Sequence, residues 1–252
     1  SKYGREYAEK LNAKYKKDIF YFIYRKRLWN DKENCYLGYE RKRGALIQFN
    51  KILLGEKIDE NKFFNVNMLK DKKLDIKYVI TLDTDTKLVL NSALNLVGAM
   101  AHPMNKPIFN KDKTKVIKGY GIMQPRVSVD IEATNKSLYS QIYAGIGGFD
   151  TYSAVVPNVY QDSFGEGSFV GKGIYDLEVF DKIMNNTFPD NLILSHDLLE
   201  GNYMRCGYVS DIEMIDDFPS KFLTDITRHH RWARGDVQII SWLLGKVRNK
   251  NG

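Results

Sequence analysis

The stretch YVITLDTD, residues 78–85, decides how this chain is read. Its opening residues are β-branched or aromatic, and a continuous run of this kind at 78–82 reads as a strand covered on both faces. The run stops abruptly at Asp83-Thr84-Asp85. Working outward, IFYFIY at 19–24 reads as an earlier buried strand, and GYGIMQ at 119–124 as a later one, stopped by Pro125. Residues 208–215 alternate well enough for another. Helical spacing is expected over 5–17, with Tyr7, Leu11 and Tyr15 on one stripe, and over 43–54, with Gly55 as the cap. Further helices are expected near 91–101, 135–144 and 223–244, in the second part of 169–185, and from an N-cap at Ser195 to about Cys206. Gly145, Gly147 and Gly148 suggest irregular backbone. Strands alternating with helices, without repeats or low-complexity linkers, predict one α/β domain over residues 1–252. Its sheet is expected to be mostly parallel, with helices on both sides. Ligands of such folds sit beyond the carboxyl ends of the strands. Asp83 and Asp85 fall at such a position.

The 252 residues are 43% apolar and 27% charged, enough for a sizeable core. No apolar stretch is long enough to span a membrane, and the charged N-terminus lacks the middle of a secretory signal. The start at Ser1 suggests a piece of something longer. A net charge of +7 is compatible with an anionic partner or with a plain lysine-rich surface. The basic runs at 25–27, 41–43 and 70–73 are short and not interleaved with aromatics, which argues against nucleic acid. Cys35 and Cys206 form neither a disulfide framework nor a CxxC pair, so two reduced thiols are expected.

Residues i and i+2 of an extended chain face the same way, so Asp83 and Asp85 present two carboxylates on one side. Such a pair suits Mg²⁺ or Mn²⁺, which could hold a diphosphate; it is equally the composition of a turn with an Asp helix cap. Asp197, in SHDLLEG at 195–201, is either a carboxylate favouring the positive end of a new helix or a base for a sugar hydroxyl. His196 beside it reads as structural. RHHRWARGD at 228–236 packs an indole among arginines: guanidinium groups bind phosphate oxygens and Trp232 offers a flat face to a sugar ring. The other reading puts Trp232 in the core and pairs the arginines with Asp225 and Asp236. GEGSFVGKG at 165–173 matches neither the Walker loop nor GxGxxG, though close backbone approach to a ligand fits its glycines. The histidines lack HExxH spacing.

Taken in order, WNDKENCYLGYERKRGAL, ITLDTDT, AHPMNKP, GYGIMQPRVS, VYQDSFGEGSFVGKGIYD, LSHDLLEG and RHHRWARGD resemble the bacterial cyclic β-1,2-glucan synthases from about residue 10 to 244. The resemblance implies a glycosyltransferase of the GT-A (Rossmann-like) type, related to processive cellulose-synthase-like enzymes. It implies UDP-glucose as donor, a β-1,2-glucan acceptor and inversion at the anomeric carbon. By similarity, Asp83 and Asp85 match the metal and diphosphate motif, and Asp197 the catalytic base. Arg231 and Trp232 match the end of the QxxRW motif, with Arg228 standing where related enzymes have Gln. Gly171, Lys172 and Gly173 match a loop near the acceptor, and Arg43 lies in a segment near the nucleotide. The full proteins are large and membrane-embedded, facing the cytoplasm at the bacterial inner membrane, so the other regions of the polypeptide and the membrane are expected partners. The strand at 19–24 looks like the second of the fold, so the first would lie outside this chain and the isolated stretch is expected to bind donor weakly or be inactive. Two rivals stay open. One is a glucan hydrolase or phosphorylase using carboxylates such as Asp162 and Glu166; the other is a non-catalytic nucleotide-sugar-binding module.

Overall fold

The structure, a computed structural model, describes residues 2–57, 61–69, 74–144, 159–190, 192–193, 196–245 and 247. The expected N-cap at Ser195 and the glycines at 145, 147 and 148 lie outside the described residues. Where the sequence reads as one domain, the chain gathers into two compact units, Ser1–Ile76 and Lys77–Gly252.

In the first unit, α1 (Lys2–Tyr15) carries the expected stripe, but Tyr7 and Tyr15 are exposed and Ala8 is its buried residue. The anticipated strand at 19–24 is reduced to β1 (Tyr24–Arg25). The cause is Asn12. Its Oδ1 accepts the N–H groups of Ile19 and Phe20 at 3.0 and 2.8 Å, and its Nδ2 donates to the Phe20 carbonyl at 2.9 Å. Backbone groups spent on a side chain are lost to a ladder. β2 (Leu28–Asn30) and β3 (Cys35–Leu37) form a hairpin on which Trp29 and Tyr36 meet edge to face. α2 (Arg41–Leu53) stops as expected near Gly55: the Gly55 N–H bonds the Ile52 carbonyl and the Glu56 N–H that of Lys51, which together make a Schellman cap. β4 (Phe63–Phe64) pairs antiparallel with β1.

The second unit is built on β5 (Tyr78–Thr81), β6 (Lys87–Leu88), β7 (Ile108–Phe109), β8 (Val116–Lys118), β9 (Ile122–Val129), β10 (Gly173–Asp176) and β11 (Cys206–Asp216). Five strands form one sheet in the order β5-β10-β9-β11-β6, and β7 pairs with β8 separately. Its helices are α3 (Ser92–Ala101), α4 (Ile131–Thr134), α5 (Leu138–Tyr143), α6 (Val159–Phe164), α7 (Leu177–Thr187), α8 (Asp197–Met204) and α9 (Phe222–Ile239). The fold is α/β, but the sheet is mixed rather than mostly parallel. β9 and β11 are parallel, whereas β10 runs antiparallel to both β5 and β9, and β6 antiparallel to β11. The central core joins Leu96 and Met100 of α3 to Met123, Ile174, Ile212 and Met214 of the sheet, with Tyr78 and Ile80 against it. β5 is therefore an edge strand, half-buried rather than covered on both faces.

Pro125 does not end its strand. β9 runs through it to Val129 because β11 bulges opposite: Val209 pairs with Pro125 and Glu213 with Arg126, leaving three residues of β11 out of register. A proline is tolerated where a bulge removes the need for its missing N–H. Of the helix expected over 135–144, α5 forms, capped by Ser137; the separate short helix α4, capped by Asp130, precedes that range.

Candidate active site

β5 and β6 lie on opposite edges of the sheet, yet only residues 82–86 separate them. This short link crosses the sheet at the end where β5 and β11 finish and β10 begins. Asp83 and Asp85 ride on it. The turn is closed by the Thr86 N–H bonding the Asp83 carbonyl at 3.1 Å. Thr86 Oγ1 in turn donates to Asp216 Oδ1, 2.6 Å away at the end of β11.

Residues 170–173 hold the next part of the site. The Val170 N–H donates to the fully buried Gln124 side chain at 2.9 Å. The Gly171 carbonyl accepts from Thr81 Oγ1 at 3.4 Å, and a Cβ on Gly173 would meet the Met123 carbonyl at 2.1 Å. Held this way, Lys172 is buried. Its ammonium pairs with Asp216 and lies 3.5 Å from Asp83 Oδ2. One fixed cation thus faces two carboxylates, one buried at the end of β11 and one on the link after β5. Such charges are tolerated out of water when paired.

Against the same loop stands Asp197, at the first turn of α8. A Cβ on Gly171 would lie 2.9–3.0 Å from its carboxylate atoms. Among the described residues Asp197 Oδ1 is covered and makes no hydrogen bond, while about a third of the side chain stays exposed. The dipeptide Gly171-Lys172 therefore touches Asp83 through its lysine and Asp197 through its glycine. The structure brings together Asp83, Gly171, Lys172 and Asp197, and seats Gly173 just below them as the first residue of β10.

The remaining sequence-based candidates are placed as follows. Asp85 is exposed on the link. Arg228 on α9 bonds Asp225 at 2.7 Å and lies over the rings of Phe218 and Trp232. That is the ion pair one reading of the motif anticipated, although Trp232 is 42% exposed and not in the core. Arg231 is exposed on the same helix. Asp225 also accepts from Tyr139 Oη at 2.7 Å, which pushes that phenol up to about 12. Arg43, in the first unit, is buried and paired with Glu40. Asp162 is exposed on α6, and Glu166 is part-buried beyond it.

Asp83 and Asp85 offer the hard carboxylate oxygens that Mg²⁺ and Mn²⁺ prefer, with side chains open enough for an ion that keeps part of its water shell. That donor set fits such an ion, which would share Asp83 with the Lys172 ammonium. His196, Asp197 and Glu200 also present ligand atoms within 4.8 Å of one another. There, however, His196 Nδ1 and Glu200 Oε1 are 2.7 Å apart, a hydrogen bond in its own right.

No family model matches the chain. It is 39% identical over 254 residues to the cyclic beta-(1,2)-glucan synthase NdvB of Rhizobium meliloti (strain 1021), an alignment that takes in 99% of this chain. Over this stretch the chain belongs to the cyclic β-1,2-glucan synthase family. It spans 9% of the length of that relative. The family expected from the motifs is borne out.

Within this stretch of the glucan synthase family, three residues of the site escape motif reading. Asp216 and Thr86 are joined across 130 positions, which no local spacing reveals. Asp216 does carry one signal: a carboxylate at the carboxyl end of a strand, where α/β folds bind ligands. Glu200 stands four residues after His196, the spacing at which two side chains meet on a helix.

Proposed function

We propose that this stretch carries the glucosyl-transfer site of a cyclic β-1,2-glucan synthase, a GT-A-type centre that moves glucose from UDP-glucose to a growing β-1,2-glucan with inversion. Support comes from one juxtaposition: Asp83 and Asp197 lie against the two successive residues Gly171 and Lys172. A diphosphate-side carboxylate and a candidate base then flank a single loop, as a donor sugar between them requires.

In this reading Asp197 takes the proton of an acceptor hydroxyl while that oxygen attacks C1 of the donor glucose. The bond from C1 to the diphosphate oxygen breaks on the opposite face, and UDP leaves with the electron pair. A Mg²⁺ or Mn²⁺ ion held by Asp83 and Asp85 would supply neutralisation of the departing diphosphate. Lys172 keeps a positive charge beside Asp83. Arg231 would contact phosphate oxygens and Trp232 a sugar face, with Arg228 bracing the indole. Among the described residues no helix is long and apolar enough to cross a membrane; attachment at the cytoplasmic face of the inner membrane would come from other regions of the same polypeptide.

The test is Asp197→Asn in the full-length polypeptide. Transfer of labelled glucose should fall by about 10²- to 10⁴-fold, with UDP affinity in the presence of Mn²⁺ unchanged by calorimetry. Retained turnover removes Asp197 from the role, and sugar release from glucan without nucleotide would make the site hydrolytic.

A further inference from the structure

We infer that His196 and Glu200 form a positioning pair for the carboxylate of Asp197, an inference that rests on Asp197 being the base. Both side chains are buried, Glu200 almost completely. His196 Nδ1 is 2.7 Å from Glu200 Oε1 but 3.5 Å from Asp197 Oδ1. With Glu200 ionised, the hydrogen on Nδ1 belongs to the nearer carboxylate, since the longer separation is outside hydrogen-bond range. Asp197 Oδ1 is consequently packed against both the imidazole and Gly171, covered yet receiving no hydrogen bond among the described residues.

That arrangement has a chemical consequence. A donor aimed at a carboxylate stabilises its charged form and weakens its pull on a proton. Glu200 takes the Nδ1 hydrogen, so the ring serves Asp197 as a wall that fixes its rotamer and not as a partner that quiets it. The α8 geometry provides this economically: His196 and Glu200 are one helical turn apart, with Asp197 between them in sequence.

The experiment compares Glu200→Leu, Glu200→Gln and His196→Asn in the full-length polypeptide, measuring kcat, KM for UDP-glucose and Mn²⁺ binding. Glu200→Leu frees the Nδ1 hydrogen to turn toward Asp197, and kcat should fall about 10- to 100-fold with KM unchanged. Glu200→Gln keeps an accepting oxygen and should retain most of kcat; His196→Asn keeps an N–H for Glu200 but removes the ring that walls Asp197, and its kcat should fall with KM unchanged. Wild-type kcat in Glu200→Leu, alongside an inactive Asp197→Asn, overturns the pair and leaves the base in place. An active Asp197→Asn instead brings down the transfer reading itself. Loss of Mn²⁺ binding in both Glu200 variants makes the cluster a metal site and overturns the pair. Should Glu200→Leu fail to fold, loss of kcat in Glu200→Gln with UDP affinity kept, or wild-type kcat in His196→Asn, also overturns it.

Discussion

Gly171 and the carboxylate of Asp197 occupy adjoining space so closely that a methyl group on the glycine would lie 2.9 Å from Oδ1. The same glycine has φ +88°, where a Cβ is strained whatever the room around it. Gly171→Ala should therefore lower stability by about 1–3 kcal/mol. It should also turn the Asp197 side chain and reduce transfer by the full-length polypeptide. Gly98 is the control: it lies inside α3 with open space at its Cβ position. Gly98→Ala should gain about 0.5–1 kcal/mol by relieving the entropy cost of a helical glycine. Denaturant unfolding of the two variants separates the effects.

The ammonium of Lys172 and the carboxylate of Asp216 form a pair of which almost nothing reaches water. Removing one member leaves a buried charge without its counterpart, and Lys172→Met should cost about 3–5 kcal/mol. Replacing both, as Lys172→Met with Asp216→Leu, should cost far less than the two single changes added together. A double-mutant cycle from urea melts checks this. Additive single losses would mean the pair contributes nothing as a pair.

The legible parts of this molecule were those fixed by neighbours in sequence. The strand ending before Asp83, the Gly55 cap and the helices at 92–101 and 222–239 follow from local runs and spacing. The strand expected at 19–24 failed because Asn12 takes the backbone groups of Ile19 and Phe20, a contact made outside the run. Pro125 looked like a stop because the bulge that accommodates it lies on β11, some eighty residues away. Hydrophobic periodicity carries no strand direction, so the antiparallel insertion of β10 was invisible. In the site, the motifs marked Asp83, Asp197 and Lys172 singly. What joins them is the approach of residues 170–173 to the link 82–86, a tertiary fact.

The two cysteines should behave as opposites. Cys206 is fully buried at the start of β11, and burial pushes its thiol well above the ordinary range. Cys35 is exposed on the β2–β3 hairpin. Only the thiolate attacks a disulfide reagent, so the folded chain should release thionitrobenzoate for Cys35 alone, and for both thiols in denaturant. Rapid reaction of Cys206 in the native state would mean that the start of β11 separates readily from the start of β9, where Cys206 pairs with Ile122.

Asp176 offers a stability test by pH. It caps α7, accepting the Val179 N–H at 3.1 Å, and burial raises its carboxyl above the ordinary 3.8. Because the folded value is the higher one, the unfolded chain releases this proton first as pH rises. Stability from this group is therefore full in acid, declines between the ordinary and the raised value, and stays low above it. Asp176→Asn keeps the cap, since Asn and Asp serve about equally at that position, and has no proton to lose. Relative to wild type it should grow more stable as pH climbs through that interval and hold the gain at neutrality. Asp176→Ala lacks the cap and should lose about 0.5–2 kcal/mol at neutral pH. Urea unfolding of the three proteins across a pH series checks the sign: a gain for Asp176→Asn that appears only in acid would mean the carboxyl is held down rather than pushed up.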